Sequence, residues 1–296
     1  MSGDTAQPVG ERGDVPSGLA GVDTTRASVA RVYDGFLGGK DNFEVDREIV
    51  RKVEAVVPLS QLAKANRHWL VRVVRFLAGP AGIDQFIDCG AGLPTVENTH
   101  EAAQRVNPSA KVLYVDNDPV VLAHGRALVA DSTTHFVDAD LTKPAELLSH
   151  PTITKNIDFD RPIGVIHCST FHHVSDADKP HEIMATYVDA IPAGSYVAFA
   201  HFYDPADGSR SSEIARFIEN VFSTSSMASG YFRGRAEIES FAHGLELLEP
   251  GVALVASGWL GCSLSDRHDC HVYLVAGDDD DAFLVDAGCG LDIHTI

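Results

Sequence analysis

The sequence predicts an α/β protein built on an open, doubly wound and mainly parallel sheet of seven strands with an antiparallel edge. Short apolar runs alternate with segments in which apolar residues recur every three or four positions, which is the pattern of βαβ units. Right-handed crossovers between such strands favour an open sheet. The last two runs follow one another closely, so we expect them to form the antiparallel edge.

The beginning of the chain is expected to be helical after a polar leader. Residues 1–25 carry acids, Gly and Pro without apolar periodicity, which predicts a disordered leader. Two helical segments over residues 28–56 are separated by Gly38 and Gly39. Residues 60–77 then place apolar side chains at helical spacing, which indicates an amphipathic helix.

Strands and helices alternate in the rest of the chain. The predicted strands are 85–90, 111–116, 135–138, 163–167, 195–200, 252–256 and 271–276. The predicted helices are 94–106, 118–129, 179–190, 211–222 and 236–244. An acid run at 278–281 opens an acidic C-terminal tail, residues 278–296.

Composition limits the partners of this chain. With 42 acidic and 23 basic residues, its formal charge of -19 repels polyanions and disfavours nucleic acid as a partner. No apolar stretch approaches the roughly 20 residues that cross a bilayer, and the N-terminus does not resemble a secretory signal. The five scattered cysteines contain no CxxC pair, which indicates reduced thiols. We therefore expect a cytoplasmic protein without a membrane partner. The sequence is also compatible with a homo-oligomer.

The first predicted strand ends in a glycine loop, Asp88-Cys-Gly90-Ala-Gly92-Leu-Pro-Thr95. Ligands of such sheets bind at the carboxyl ends of the strands, and the two glycines allow a ligand to approach the backbone closely. A dinucleotide fold would have Gly or Ala where Thr95 stands. Asp88 would repel a pyrophosphate but accept a cationic amine, or a water bound to one. A tight turn without a ligand is the alternative.

The next two strand ends also carry acids. Asp116 can accept both hydroxyls of a ribose, as nicotinamide and adenosyl cofactors both require, or it is merely solvated while Asp118 caps the following helix. An acid after the third strand can accept the exocyclic amine of adenine. The sequence does not determine the strand register, so it leaves open whether Asp138 or Asp140 faces the ligand. We favour Asp140, because Asp138 still belongs to the strand.

The fourth strand is followed by polar side chains that would share this edge of the sheet. His172 or His173 could act as a general base, since imidazole titrates near neutral pH. The alternative is that the two histidines only shape the loop. His201 and Tyr203, beyond the fifth strand, are weaker candidates on the same rim.

We predict no metal site. Residues 267–271, Arg-His-Asp-Cys-His, offer metal-type ligands, but neighbouring residues of a strand point to opposite faces. No second cluster has matching spacing. Residues 286–290 imitate a glycine loop, yet the six residues after them are too few for the helix that such a loop requires.

The order Asp88-x-Gly90-x-Gly92, Asp116, Asp140 resembles that of class I S-adenosylmethionine-dependent methyltransferases. A closer similarity, to the actinobacterial-type S-adenosyl methyltransferase family once filed as a domain of unknown function, extends from about residue 28 to 259. It is carried by residues 30–43, 66–67, 90–95, 114–121, 226–230, 235–238 and 244–251. The sequence departs from the family at residues 258–261, where Trp followed by Arg-Pro is expected.

This resemblance implies one class I methyltransferase-like domain over residues 26–277, with a helical lid over 26–79 and a Rossmann-like core over 80–277. It also implies S-adenosyl-L-methionine as the cofactor. The glycine loop with Asp88 would hold the amino-acid half, Asp116 the ribose, and Asp140 with Leu141 the adenine. The expected cofactor residues are Tyr33, Gly39, Arg67, Asp88, Gly90, Gly92, Thr95, Asp116, Asn117, Asp140, Leu141 and Ser169.

Two of these residues lie in the expected lid. Tyr33 could face the sulfonium, because its positive charge is attracted to an aromatic ring. Arg67 could pair with the cofactor carboxylate. The alternatives are a packed core aromatic for Tyr33 and a solvated helix face for Arg67.

The expected function is transfer of a methyl group from S-adenosylmethionine to oxygen or nitrogen of a small-molecule acceptor, by direct displacement. Two alternatives remain open at this point. The first is a protein that binds S-adenosylmethionine or S-adenosylhomocysteine without catalysis. The second is a nicotinamide-dependent oxidoreductase, which Thr95 and Asp88 disfavour.

Overall fold

The computed structural model describes residues 22–95, 97–128, 132–248, 251–256 and 269–276. Most of the expected leader, the whole expected C-terminal tail and the departure at residues 258–261 therefore lie outside the described residues. The same holds for residues 286–290 and for residues 267 and 268 of the cluster with metal-type ligands.

The described residues form helices and strands that alternate along most of the chain. The helices are α1 Val29–Leu37, α2 Glu44–Glu54, α3 Leu59–Ala78, α4 Thr99–Val106, α5 Pro119–Leu128, α6 Pro144–Leu148, α7 Pro151–Asn156, α8 Pro180–Ala190, α9 Arg210–Thr224 and α10 Arg235–Ser240. The strands are β1 Gln85–Cys89, β2 Lys111–Asp116, β3 Thr134–Asp138, β4 Gly164–Cys168, β5 Tyr196–His201, β6 Glu246–Leu247, β7 Ala253–Ala256 and β8 Asp269–Ala276.

The strands form a single mixed sheet. Five of them run parallel in the order β3-β2-β1-β4-β5, and β8 continues the sheet antiparallel to β5. Both β6 and β7 pair antiparallel with β8. This confirms the predicted α/β class, with its mainly parallel sheet and antiparallel edge. The described residues contain eight strands instead of the predicted seven, because two residues pair as β6.

Helices cover both faces of the sheet, because successive residues of its strands point to opposite sides. Phe86 belongs to an apolar cluster that includes residues of α3 and α4, whereas its neighbour Ile87 belongs to a cluster that includes residues of α6, α7, α8 and α10. The first face buries Trp69, Leu70, Val73, Val74, Leu77, Ala102 and Ala103. The second buries Leu147, Ile153, Ile183, Met184, Tyr187 and Ile238. The sheet is therefore doubly wound, as predicted.

A third apolar core lies among the N-terminal helices and α9. It contains Val32, Phe36, Ile49, Val53, Val57, Leu59, Ala63, Ile214, Ile218 and Phe222. We call α1, α2, the first turns of α3 and α9 the helical layer. Since α9 comes from the second half of the chain, this layer is more than an N-terminal segment. The division into a lid over residues 26–79 and a core over 80–277 stays a prediction.

Three helices differ from the sequence prediction. Helix α4 begins at Thr99, not at Pro94, because Asn98 and Glu101 form a capping box at its start. Glu97, expected inside that helix, precedes it and pairs with Arg75 at 2.7 Å. Helices α6 and α7, of five and six residues, were not predicted. No helix in the described part of the chain is both long and apolar enough to span a membrane.

Candidate functional site

A cavity of about 510 Å³ lies at the carboxyl ends of β1 to β5, under the helical layer. The strand order reverses between β1 and β4, and this switch point is where open α/β sheets bind ligands. The loops after all five parallel strands line the cavity, together with α1, α3 and α9. Of the predicted site residues, the lining includes Tyr33, Arg67, Asp88, Gly90, Gly92, Asp116, Asn117, Asp140, Leu141, Ser169, His172 and His173.

Asp88 is the buried acid of this cavity. It lies on β1 with 4% of its surface exposed, and its Oδ2 accepts a 2.6 Å hydrogen bond from the Thr99 hydroxyl. Burial raises the pKa of Asp88 to about 6, while the Thr99 hydrogen bond and the nearby Arg67 charge oppose the rise. The carboxylate is therefore underpaired for its burial, which favours a cationic ligand group beside it.

Gly90 and Gly92 form the loop between β1 and the cavity. Both have left-handed backbone conformations, with φ of 79° and 66°. The N–H groups of Gly90 and Ala91 donate to the Val115 carbonyl at 2.8 and 3.0 Å, which bends the loop toward β2. A Cβ at position 90 would lie 2.3 Å from Cγ2 and 3.1 Å from Cβ of Thr170, whereas a Cβ at position 92 would meet nothing within 4 Å.

The two glycines provide a matched pair of variants. We expect Gly90→Ala to lower the free energy of unfolding by about 2–4 kcal/mol, because the new Cβ overpacks against Thr170 and an alanine is also strained in the left-handed backbone conformation. Gly92→Ala carries the backbone term alone, about 1–2 kcal/mol. Urea unfolding followed by circular dichroism measures both. Equal losses in the two variants would contradict the proposed contact with Thr170.

Asp116 and Asp118 have separate tasks at the end of β2. The two oxygens of Asp116 accept the N–H groups of Gly92 and Asp118, each at 2.9 Å, and its carboxylate lines the cavity. Burial raises its pKa. Asp118 accepts the N–H of Val120 at 2.8 Å and so caps α5. The capping role foreseen for Asp118 is thus present, and Asp116 is fixed by the backbone rather than loosely solvated.

The structure separates the two acids at the carboxyl end of β3. Asp140 lines the cavity, and its Oδ1 accepts the N–H and hydroxyl of Thr142 at 2.9 and 2.7 Å. Asp138 is exposed and does not line the cavity. This placement supports Asp140 as the ligand acid. Leu141 follows it on the lining, with its carbonyl held by the Tyr187 hydroxyl at 2.8 Å.

Tyr33 connects the helical layer to the sheet. Its hydroxyl donates to the Ala63 carbonyl at 3.1 Å and accepts from Nδ2 of Asn66 at 3.0 Å. The same amide group donates to Sγ of Cys168 at 3.3 Å. Asn66 was not among the predicted site residues, although it belongs to the segment that carries the resemblance. Arg67 lines the cavity and donates to the Glu97 carbonyl at 2.8 Å.

The two histidines after β4 differ in their hydrogen bonds. Nδ1 of His172 accepts the N–H of Phe202 at 3.3 Å, so the proton of the neutral ring lies on Nε2. Nδ1 of His173 contacts the Ser229 hydroxyl at 3.0 Å. Burial lowers the pKa of His172 far below its usual value and that of His173 to about 4. Both rings are therefore neutral at pH 7.

Arg233 supports this part of the site and was missed in the sequence. It is buried, and it donates to Nε2 of His201 at 2.9 Å and to the Val174 carbonyl at 2.9 Å, while Asp176 and Glu237 balance its charge. Nδ1 of His201 in turn faces the Phe202 carbonyl at 2.6 Å. No local sequence pattern connects Arg233 to His201 and Val174, which are 32 and 59 residues away.

Two predicted site residues do not line the cavity, Gly39 and Thr95. A Cβ at Gly39 would lie 1.9 Å from Oδ1 of Asp34, so glycine is required there by the approach of that buried carboxylate. The N–H of Thr95 donates to Oδ1 of Asn98 at 3.0 Å, in front of α4. Ser169 lines the cavity with a left-handed backbone, φ 59°, and such strain often marks functional loops. Among the described residues, no cluster of His, Cys, Asp and Glu is arranged to hold a metal ion.

Comparisons with known proteins give a consistent result. The sequence profile of a family described as S-adenosyl methyltransferase matches residues 17–277. The chain is similar to a candidate methyltransferase from Thermobifida fusca YX, with 38% identity, a TM-score of 0.80 and coverage of 89% of this chain and 98% of that one. It is also similar to a DUF574 family protein from Streptomyces avermitilis MA-4680, with 32% identity, a TM-score of 0.78 and coverage of 86% and 99%. No protein of curated function matches the chain.

Proposed function

The chain belongs to the S-adenosyl methyltransferase family, and from this premise we propose that it methylates an oxygen or nitrogen atom of a small-molecule acceptor. The protein is a methyltransferase with S-adenosylmethionine as its cofactor. The observation that carries the proposal is the arrangement of the cavity. Carboxylates lie at the carboxyl ends of β1 and β2 and just after β3, whereas imidazoles lie just after β4 and at the end of β5.

The residues of the first half fit the cofactor. S-adenosylmethionine carries an ammonium, a ribose diol, an adenine amine and a carboxylate. Asp88 would hold the ammonium, Asp116 the diol, Asp140 the adenine amine and Arg67 the carboxylate. The burial of Asp88 supports this assignment, since it leaves a carboxylate in need of a cation. The open space beside Gly92, where a Cβ would meet nothing within 4 Å, supports it as well.

When bound, the cofactor supplies a methyl group on a positively charged sulfur, which keeps the electron pair of the broken carbon–sulfur bond. The protein has to align the acceptor and exclude water. Tyr33, Asn66 and Cys168 bring α1 and α3 against the end of β4, which closes the cavity over its histidines.

A protonated acceptor also needs a base. Nδ1 of His172 already accepts the Phe202 N–H, so we assign His172 the role of a hydrogen-bond donor through Nε2. His173 would receive the proton that the acceptor loses. Its pKa, lowered to about 4 by burial, keeps the ring unprotonated at neutral pH and also makes it a weak base. Such a base suits an acceptor whose proton becomes strongly acidic as the new bond to the methyl group forms.

The size of the cavity supports a small acceptor. Pockets that hold one drug-sized ligand measure roughly 300–1,000 Å³, and this cavity measures about 510 Å³. The cofactor is itself of drug size, so it would fill much of this space. The remaining volume suits a small molecule better than a peptide or a nucleic acid, in agreement with the charge of -19.

A thermal-shift experiment tests the proposal. S-adenosylhomocysteine should raise the melting temperature, because a ligand that binds only the folded protein stabilises it by mass action, by about 2.7 kcal/mol at 100 times its Kd. NAD, which shares the adenosine but adds a pyrophosphate next to Asp88, should leave the melting temperature unchanged. A shift with NAD and none with S-adenosylhomocysteine would overturn the assignment.

A further inference from the structure

The charged residues of the cavity are confined to one half. Its lining contains Arg67, Asp88, Asp116, Asp118 and Asp140. The acids lie at the carboxyl ends of β1 and β2 or just after β2 and β3. Arg67 lies close enough to Asp88 to lower its pKa. None of the described lining residues from the loops after β4 and β5, or from α9, carries a formal charge at pH 7.

The other half, which we call the acceptor half, is apolar and aromatic. Its lining residues are Val32, Phe36, Leu59, Leu62, Phe202, Phe222, Met227, His172 and His173. A continuous series of ring contacts runs through it. Phe36 and Phe222 lie 6.5 Å apart, Phe222 and Phe202 6.2 Å, and Phe202 stacks on His172 at 3.6 Å.

The imidazoles of this half do not replace the missing charges. Burial keeps His172 and His173 neutral at pH 7, and His201, whose pKa falls to about 3, is occupied by the Phe202 carbonyl and by Arg233. The positive charge of Arg233 is already shared with Asp176 and Glu237, and Arg233 does not line the cavity. A charged ligand would therefore lose its hydration in this half without gaining an ionic partner.

We propose that the acceptor of this methyltransferase is an uncharged aromatic molecule that binds with its ring among Phe36, Phe222 and Phe202 and its polar atom toward His172 and His173. This inference rests on the proposed function and adds the substrate class. Phe202 stacks on His172 with one face and on Phe232, at 4.6 Å, with the other, so a flat aromatic group would meet its edge, a favourable arrangement for two aromatic rings. A single hydroxyl or amine finds a donor and an acceptor in the two neutral imidazoles.

The test uses three probes that share the naphthalene ring system and differ in the charge of the substituent. Isothermal titration calorimetry at pH 7 measures the binding of 2-naphthol, 2-naphthoate and 2-naphthylmethylammonium to the full chain saturated with S-adenosylhomocysteine. We expect 2-naphthol to bind at least tenfold more tightly than either ion. Equal or tighter binding of an ion, or no binding of 2-naphthol, would overturn the inference.

Two variants locate the bound probe. Met227→Lys and Leu62→Lys each place a cation at a partly exposed position of the acceptor half. At least one of them should reverse the preference from 2-naphthol to 2-naphthoate; an unchanged preference in folded variants would contradict the location. If S-adenosylhomocysteine binds but 2-naphthol does not, only this inference fails. If S-adenosylhomocysteine itself does not bind, the proposed function fails.

Discussion

Asp88→Asn is expected to weaken S-adenosylhomocysteine binding on the order of 100-fold while making the unliganded protein more stable. The carboxylate is buried at the end of β1, and its pKa of about 6 lies above the ordinary 3.8. Its charged form is therefore disfavoured in the unliganded folded protein, and the ammonium that we propose it binds would offset this cost. Removing one partner of a buried charge pair costs about 2–5 kcal/mol of binding free energy.

The sign of the stability change depends on pH. A carboxyl group with a raised folded pKa stabilises the protein below pH 3.8 and loses that contribution as the pH rises through 6. Asparagine does not ionise, and its amide oxygen still accepts the Thr99 hydroxyl. At pH 7 the free energy of unfolding of the variant should therefore exceed that of the wild type by about 1–3 kcal/mol, and its melting temperature should be higher. Near pH 3 the variant should show no such gain.

Binding of the cofactor should show the complementary dependence. In the wild type, the affinity for S-adenosylhomocysteine should fall about tenfold for each pH unit below 6, as Asp88 becomes protonated. The variant should lack this dependence. Asp138→Asn is the matched control, because it makes the same change at an exposed acid that ends β3 and does not line the cavity. Equal effects of the two substitutions would remove Asp88 from the cofactor site.

Local sequence patterns predicted the half of the site that depends on β1, β2 and β3. The run from Gln85 to Cys89 and its glycine loop are contiguous, so the sequence alone places Asp88 and Gly90 next to each other. Asn98-x-x-Glu101, the capping box of α4, was also present in the sequence, but Pro94 gave a competing start signal. Helices α6 and α7 are too short to show a period.

The other half of the site depends on contacts between distant segments. Residues of α9 pack with those of α1 in the third core, which closes the cavity from above, and hydrophobic spacing shows that a helix has an apolar face without showing its partner. The histidines illustrate the same limit for electrostatics. Their neutral-pH titration was expected from the free side chain, whereas burial lowers the pKa of both. Burial of this kind is a property of the assembled fold.

Asp46→Ala is expected to lower the free energy of unfolding by about 3–5 kcal/mol, because it removes the nearest carboxylate from a buried guanidinium whose other acid, Asp118, lies 3.9 Å away. Asp46 is fully buried at the start of α2. Its oxygens accept hydrogen bonds from Nε of Arg31 at 2.8 Å and from the N–H groups of Ser28 and Phe43 at 3.0 and 2.8 Å. Arg31, 4% exposed, lies on α1 and stacks on the Phe43 ring at 5.1 Å. One carboxylate thus joins the start of α1 to the start of α2.

The same helix offers a matched control. Glu48 pairs with Lys52 at 2.8 Å on the exposed side of α2, and Glu48→Ala should cost at most about 0.5 kcal/mol. The double variant Arg31→Met with Asp46→Leu should recover much of the loss, since a packed apolar pair can replace a buried ion pair. Chemical denaturation measures all three; a loss below about 1 kcal/mol for Asp46→Ala would show that the pair adds little.

The substitution also tests how the helical layer acts on the cavity. Asp46 does not line the cavity, whereas Tyr33 on α1 does. If the layer has to be fixed for the cofactor to bind, Asp46→Ala should weaken S-adenosylhomocysteine binding even at temperatures where the protein is fully folded, and the double variant should restore it. Unchanged affinity in the folded Asp46→Ala protein would mean that the residues at the carboxyl ends of the strands determine cofactor affinity without the helical layer.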